Sequence, residues 1–290
     1  MTRRHRQQRN NRRRQRRKSS LSLGQILAVA ALALVAVGAW QMLARDKRSS
    51  DTPGPDITHG CMTCVKADST LESLMVDYPG MTLSFNPSKH IPNWGAWELT
   101  ADMVNTGKHP RENKFYCDEA VDGCPESYDY SYSGYDRGHM VPAGDMKWSK
   151  EAMHATFSLV NICPQAKTLN TGTWKSLEEK CRQWALADSA IVIICGPVMT
   201  DNITEYIGDT RVAVPKRFFK VILSPHARPA RGIGFIMPNG KVPGGMQAAA
   251  VSIDEVERVT GLDFFSALPD DIEQEVERQC DFHYWSTLRK

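Results

Sequence analysis

Residues 135–146 read YDRGHMVPAGDM, which sets Asp136, Arg137 and His139 within four residues of one another around Gly138. A glycine there lets the backbone turn tightly or approach a ligand closely. A histidine beside an arginine and a carboxylate supplies what phosphodiester hydrolysis needs: a base that titrates near neutrality, a phosphate clamp, and a group to orient them. Taken alone, DRGH reads equally well as a polar turn whose histidine makes ordinary hydrogen bonds. The sequence downstream decides between the two.

Residues 161–184 read NICPQAKTLNTGTWKSLEEKCRQW. Trp174, Leu177, Cys181 and Trp184 recur at three- and four-residue steps, an apolar stripe that predicts a helix from Thr173 onward. Asn170 and Thr171 stand just before it and are good N-cap residues. Steps of four from Asn170 give Trp174, Glu178 and Arg182, close to a single row along a helix. An amide oxygen, a carboxylate and a guanidinium then face one cleft. The plainer readings are a cap for Asn170 and a surface ion pair, nearly neutral in energy, for Glu178 and Arg182. Neither explains this order of groups after a DRGH.

Taken together, DRGH, N-x-x-P-Q, L-N-x-G-x-W and L-E with an arginine four residues after the glutamate resemble the DNA/RNA non-specific endonucleases of the ββα-metal class. Secreted sugar-non-specific nucleases and mitochondrial endonuclease G belong to that class. The resemblance runs from about Phe85 to Phe265 and takes in FFKVIL (218–223), FIMPNG (235–240) and SIDEVERVTGLDFF (252–265). It implies an α+β, His-Me finger fold whose central mixed or antiparallel sheet is flanked by helices. It implies His139 as the general base, Asn170 as the direct protein ligand of Mg2+, and Glu178 as the holder of metal-bound water. Mn2+ or another divalent cation would serve the same site. Arg137 and Arg182 would neutralise phosphate, Asn161 would fix the site near His139, and Asp136 would orient the loop or bind water. Bacterial relatives often carry a phosphate-binding arginine well upstream. The matching stretch here, NWGAWELT (93–100), has none, which leaves Arg111 as a candidate.

The chemistry is self-consistent. Mg2+ keeps several waters, so one amide oxygen plus substrate phosphate oxygens suffice to hold it. The chain carries no G-x-x-x-x-G-K-[ST] loop and no H-E-x-x-H, which argues against a nucleotide triphosphatase or a metalloprotease. Two other classes stay open: a phosphodiesterase for smaller nucleotide substrates, and an inactive membrane-anchored protein that binds nucleic acid. DNA and RNA are the expected substrates, and the resemblance allows a homodimer.

The N-terminus carries a second signal. Residues 3–18 hold ten Arg and Lys and no acid, and residues 21–43 are apolar with no charge until Arg45. About 20 such residues cross a bilayer as a helix, and the basic flank stays in the cytoplasm. The expected organisation is therefore a basic cytoplasmic tail (1–20), a transmembrane anchor (21–43), a linker (44–70) and a catalytic domain (71–290) outside the inner membrane. A cleaved signal peptide and a nucleic-acid-binding arm are the other readings. Beyond Asp51 the chain is acidic, with 23 Lys and Arg against 31 Asp and Glu. A polyanion would then need a locally basic cleft, for which Lys147, Lys150, Lys167, Lys175 and Arg182 are placed near the motifs. All eight cysteines follow the apolar run, which suits an oxidising compartment, and Cys61–Cys64 and Cys117–Cys124 are close enough for local disulfides.

Strands are expected over 81–85, 96–104, 156–161, 191–195, 218–223 and 232–237. Asn239–Gly240 reads as a turn. Ser252 and Glu255 form a capping box that opens a helix, and Gly261 closes it.

Overall fold

Ala190–Pro197, AIVIICGP, is buried along its whole length. Its side chains alternate between two cores, as a strand with a period of two requires. Ile191, Ile193 and Cys195 enter one apolar cluster, whereas Val192 and Ile194 enter the other. Arg217–Ser224 does the same, with Phe218 and Ile222 on one side and Phe219, Val221 and Leu223 on the other. A sheet covered on both faces by helices follows from this pattern.

The computed structural model describes residues 65–67 and 69–288, which lie within one unit, 56–290. The expected basic tail and anchor lie outside the described residues. Among the described residues no helix is long and apolar enough to cross a membrane. Seven strands form the main sheet: β1 (Leu74–Tyr78), β2 (Met81–Asn86), β3 (Ile91–Thr100), β6 (Ala190–Pro197), β9 (Arg217–Ser224), β10 (Arg231–Pro238) and β11 (Ala250–Val251), in that spatial order. Every neighbouring pair is antiparallel. Two further ribbons pair β4 (Asp136–His139) with β5 (Ile162–Gln165) and β7 (Tyr206–Ile207) with β8 (Val212–Ala213). The helices are α1 (Ala101–Thr106), α2 (Lys150–Ala155), α3 (Lys175–Asp188), α4 (Gly245–Ala249), α5 (Ile253–Thr260), α6 (Asp270–Glu277) and α7 (Phe282–Thr287).

On one face of the sheet, Leu177, Cys181 and Trp184 of α3 join the core with β3, β6 and β9. On the other face, Ile253 and Val256 of α5 and Val276 of α6 pack beside Val192 and Leu223. Gly232 and Gly234 of β10 allow that second contact. A Cβ on Gly232 would lie 2.6 Å from Val276, and one on Gly234 would lie 2.6 Å from Val256.

Four expected strands form close to their expected bounds, at β2, β6, β9 and β10. Two expectations fail. The 96–104 strand ends at Thr100, because the Thr100 hydroxyl accepts from the Met103 N–H and caps α1. The 156–161 strand does not form. There Thr156 bonds the Met153 carbonyl, the Ser158 hydroxyl accepts from Val160 N–H, and the chain makes a 3₁₀ turn at Leu159–Asn161. Short polar side chains that bond the local backbone compete with a strand ladder. The Ser252 cap and the Gly261 stop of α5 form as read, with Gly261 at φ 71°. The reciprocal half of the capping box does not, since Glu255 pairs with Arg258 instead. Within the expected linker, Lys66 exchanges backbone hydrogen bonds with Asp263, both at 2.9 Å, and Val65 packs against the second core.

The six described cysteines are thiols. The expected Cys117–Cys124 bridge is not formed, and both sulfurs are engaged otherwise. Cys117 Sγ donates to the Cys124 carbonyl at 3.4 Å, and Cys124 Sγ accepts from the Asp118 N–H at 3.3 Å. Cys61 and Cys64 lie outside the described residues.

Candidate active site

The DRGH tetrapeptide is the strand β4, and it pairs residue for residue with β5: Asp136 faces Gln165, Gly138 faces Cys163, and His139 faces Ile162. The Gly138 backbone is ordinary strand, not a tight turn. The space of its missing Cβ is occupied by Gln165, whose Oε1 would lie 2.3 Å from that atom. The ribbon runs into α3 through Leu169–Trp174, a π-helical turn broken at Gly172 (φ −103°, ψ −117°). The expected helix therefore starts at Lys175. Neither Asn170 nor Thr171 caps it: Trp174 stands at the N-cap position, and no side chain bonds there.

Freed from capping, the Asn170 amide donates to Asp136 Oδ2 at 2.9 Å across the ribbon. Asp136 thus orients Asn170. With the amide nitrogen held, Asn170 Oδ1 is left as an acceptor for a cation. Trp174, in the same four-step row, is buried in the core, whereas Asn170, Glu178 and Arg182 all line one cleft. That cleft, of about 380 Å3, is also lined by Arg111, His139, Gly144 and Lys175.

His139 is 8% exposed, and its Nε2 is buried without a hydrogen-bond partner. Phe157 meets its ring edge-on at 5.0 Å and Phe115 is tilted against it at 5.3 Å. Burial, aided by the positive charge of Arg111, lowers the imidazole pKa to about 3, so the ring is neutral. Asn161 is fully buried and clamps the residue two beyond His139. Its Oδ1 accepts from Val141 N–H, and its Nδ2 donates to the carbonyls of Val141 and Thr156.

Glu178 is half-buried, and no hydrogen bond joins its carboxylate to another described residue. Burial raises its pKa to about 7, against the pull of Lys220 and the two arginines. Arg182 does not pair with Glu178. It donates to Asp145 Oδ1 at 2.8 Å, and Trp97 Nε1 donates to the other oxygen of that fully buried carboxylate at 3.1 Å. Beneath them Lys220 is buried without a hydrogen-bond partner, its Nζ 4.4 Å from the Trp174 ring centre and 5.1 Å from that of Trp97.

Arg137 is not among the residues lining the cleft. Its guanidinium lies 5.5 Å from the rings of both Phe115 and Tyr130 and donates to the Ser127 carbonyl. It braces the ring that packs on His139. Arg111, resting on Phe157 at 5.2 Å, is the arginine that enters the cleft beside Arg182. Of the expected basic patch, Lys175 and Arg182 line the cleft, and Lys147, Lys150 and Lys167 do not.

Residues 65–271 match the family described as DNA/RNA non-specific endonuclease. The chain belongs to that family. Members similar to it include the mitochondrial nuclease EXOG of Danio rerio, 36% identical over 66% of this chain and 60% of that one. The mitochondrial nuclease of Saccharomyces cerevisiae is 34% identical over 64% of this chain and 63% of that one. A nuclease of a Nostoc species is 31% identical over 69% of this chain and 76% of that one. The chain thus spans about three fifths of the Danio rerio relative. Its fold is that of an endonuclease G-type protein: a chain from the crystal structure of the EndoG/EndoGI complex superposes with a TM-score of 0.65 at 27% identity, covering 75% of this chain and 95% of that one.

Three residues of this family member escaped the sequence reading. Asp145 lies inside the opening motif, and its only signal was an acid six residues after the histidine. Trp97 and Asn239 gave none that separates them from core and turn. Asn239 Oδ1 accepts from Ala166 N–H at 2.7 Å and its Nδ2 donates to the Pro164 and Pro215 carbonyls, pinning the segment that leads to Asn170.

Proposed function

We propose that the chain is a divalent-metal-dependent endonuclease that hydrolyses phosphodiester bonds of DNA and RNA with little sequence preference. The observation that carries this reading is the convergence of His139, Asn170, Glu178, Arg182 and Arg111 on one cleft. The donor set fits a hard cation: an oriented amide oxygen on Asn170, and on Glu178 a carboxylate that no other described residue engages. A bound Mg2+ or Mn2+ would stabilise charge developing on the phosphate and the leaving oxygen. Asn170 would hold the ion and Glu178 its water.

His139 takes the proton from the attacking water. Its buried Nε2 leaves Nδ1 as the nitrogen that faces the reaction. Burial keeps the ring neutral, which is the form a base needs, and the negative charge of an arriving phosphodiester raises its proton affinity. Arg111 and Arg182 clamp the phosphate from two sides, and Asp145 and Trp97 hold Arg182 at its post. No side chain of this constellation reads a base, hence the low sequence preference.

The basic stretch 3–18 and the apolar run 21–43 support a single-pass anchor with the nuclease domain outside the inner membrane. The full chain, incubated with circular plasmid with and without Mg2+, is expected to linearise and then fragment it only with the ion. Intact circles alongside degraded linear DNA would make it an exonuclease. Cleavage of dinucleotides alone would make it a small-substrate phosphodiesterase.

A further inference from the structure

On the face of the sheet opposite the cleft, α5 and α6 bring three carboxyl groups together. Asp254 and Glu257 lie one turn apart on α5, and Glu277 is the last residue of α6. One oxygen from each lies within 4.8 Å of the others. Glu277 is 7% exposed, and its Oε1 is buried without a hydrogen-bond partner. Glu257 spends Oε1 on the Phe264 N–H at 2.8 Å and keeps its second oxygen. Asp254 is exposed, which leaves the cluster open to water on one side.

The charge around the cluster is negative. Glu273 and Asp263 add further acid beside Glu277, Glu257 and Asp254. The nearby Lys66 is engaged with Asp263 at 3.5 Å. A buried carboxylate facing two acids must either take up a proton or meet a compensating positive charge. A shared proton bridges two oxygens and leaves the third repelled, whereas a divalent cation bridges all three.

We propose that Asp254, Glu257 and Glu277 form a divalent-cation site of the Ca2+ type that ties α6 to α5. All the ligand atoms are hard oxygens. Ca2+ binds oxygens at about 2.3–2.6 Å in flexible geometry, which suits carboxyls carried by two different helices, whereas Mg2+ at about 2.1 Å demands a near-ideal octahedron. Water on the Asp254 side completes the shell. The site is independent of the cleft and of the proposed nuclease chemistry.

The test uses the full-length protein after removal of metal by chelator, titrated with CaCl2 by calorimetry and followed in thermal unfolding. Wild type and Asn170→Ala should both show a Ca2+-binding event with a dissociation constant of about 10⁻⁴–10⁻³ M, the range of sites on extracellular modules, and any ion held in the cleft should appear in wild type alone. The melting temperature of both proteins should rise by about 3–10 °C at about 10 mM Ca2+. Asp254→Asn, at an exposed position that leaves the fold intact, should weaken binding on the order of tenfold and cut the rise to about half or less. Unchanged binding by Asp254→Asn, or loss of the event in Asn170→Ala, would place the ion elsewhere and overturn the site. So would a wild type indifferent to Ca2+ whose Glu277→Gln variant alone gains the stability, which would show a proton instead.

Discussion

His139 and Asn170 show how single residues acquire roles from their neighbours. Phe115 and Phe157 wall the imidazole, and burial keeps it neutral down to a pKa of about 3. Two outcomes are expected of His139→Ala. Turnover of plasmid should fall by roughly 10²–10⁴-fold, the usual range for losing acid–base help, with the circular-dichroism spectrum unchanged; a folded variant of full activity would move the base elsewhere. Acid sensitivity should also ease. The folded pKa lies below the unfolded value of about 6.5, so between these the unfolded chain binds the extra proton, and wild-type stability falls as pH drops from about 6.5 toward 3. Denaturant midpoints at pH 7 and pH 4 should therefore differ less in His139→Ala than in wild type. Asn170 is turned by Asp136. Asn170→Ala should raise the metal concentration needed for half-maximal cleavage. Titration curves that superpose on wild type would remove Asn170 from the cation's shell.

Among the elements, the β4–β5 ribbon and α3 carry the site, and their join depends on two close fits. Gln165 fills the space beside Gly138. Gly138→Ala should cost about 1–3 kcal/mol, the range for overpacking a filled core, and adding Gln165→Ala should restore only part of it, because the Cβ of residue 165 would still lie 2.7 Å from the new atom. If the double variant in urea unfolding is no more stable than Gly138→Ala alone, the clash with Gln165 is not the cause. The second fit is α3 against the loop after β4, where Arg182 meets Asp145. Asp145→Ala should destabilise by about 3 kcal/mol, near the lower end for breaking a buried pair because Arg182 is a quarter exposed. It should also lower kcat, since Arg182 loses its anchor. A variant of wild-type stability and rate would make the pair dispensable.

For the whole molecule, the sheet separates two faces: the cleft with α3 on one, and α5 and α6 with their acidic cluster on the other. The anchor read from residues 21–43 predicts that protease added to spheroplasts digests the domain that follows it and leaves the N-terminal tail. A protected domain would reverse the orientation, and a soluble product starting near Arg45 would make the span a signal peptide. The sequence alone determined what depends on local order. The DRGH and Asn170 motifs, the stripe Trp174–Leu177–Cys181–Trp184, the central strands and the ends of α5 are all set by neighbours a few residues apart. Period and cap chemistry are written there in the chain. The tertiary structure decided what depends on distant partners. It turned Arg137 out of the cleft onto Phe115 and Tyr130 and brought Arg111 in over Phe157. It gave Arg182 to Asp145 rather than Glu178 and Asn170 to Asp136 rather than a helix end. Each of these pairings joins groups whose competing local partner was equally good by spacing. Only the packing of the ribbon, the loop and α3 on one sheet face brings the winning partner within hydrogen-bond reach.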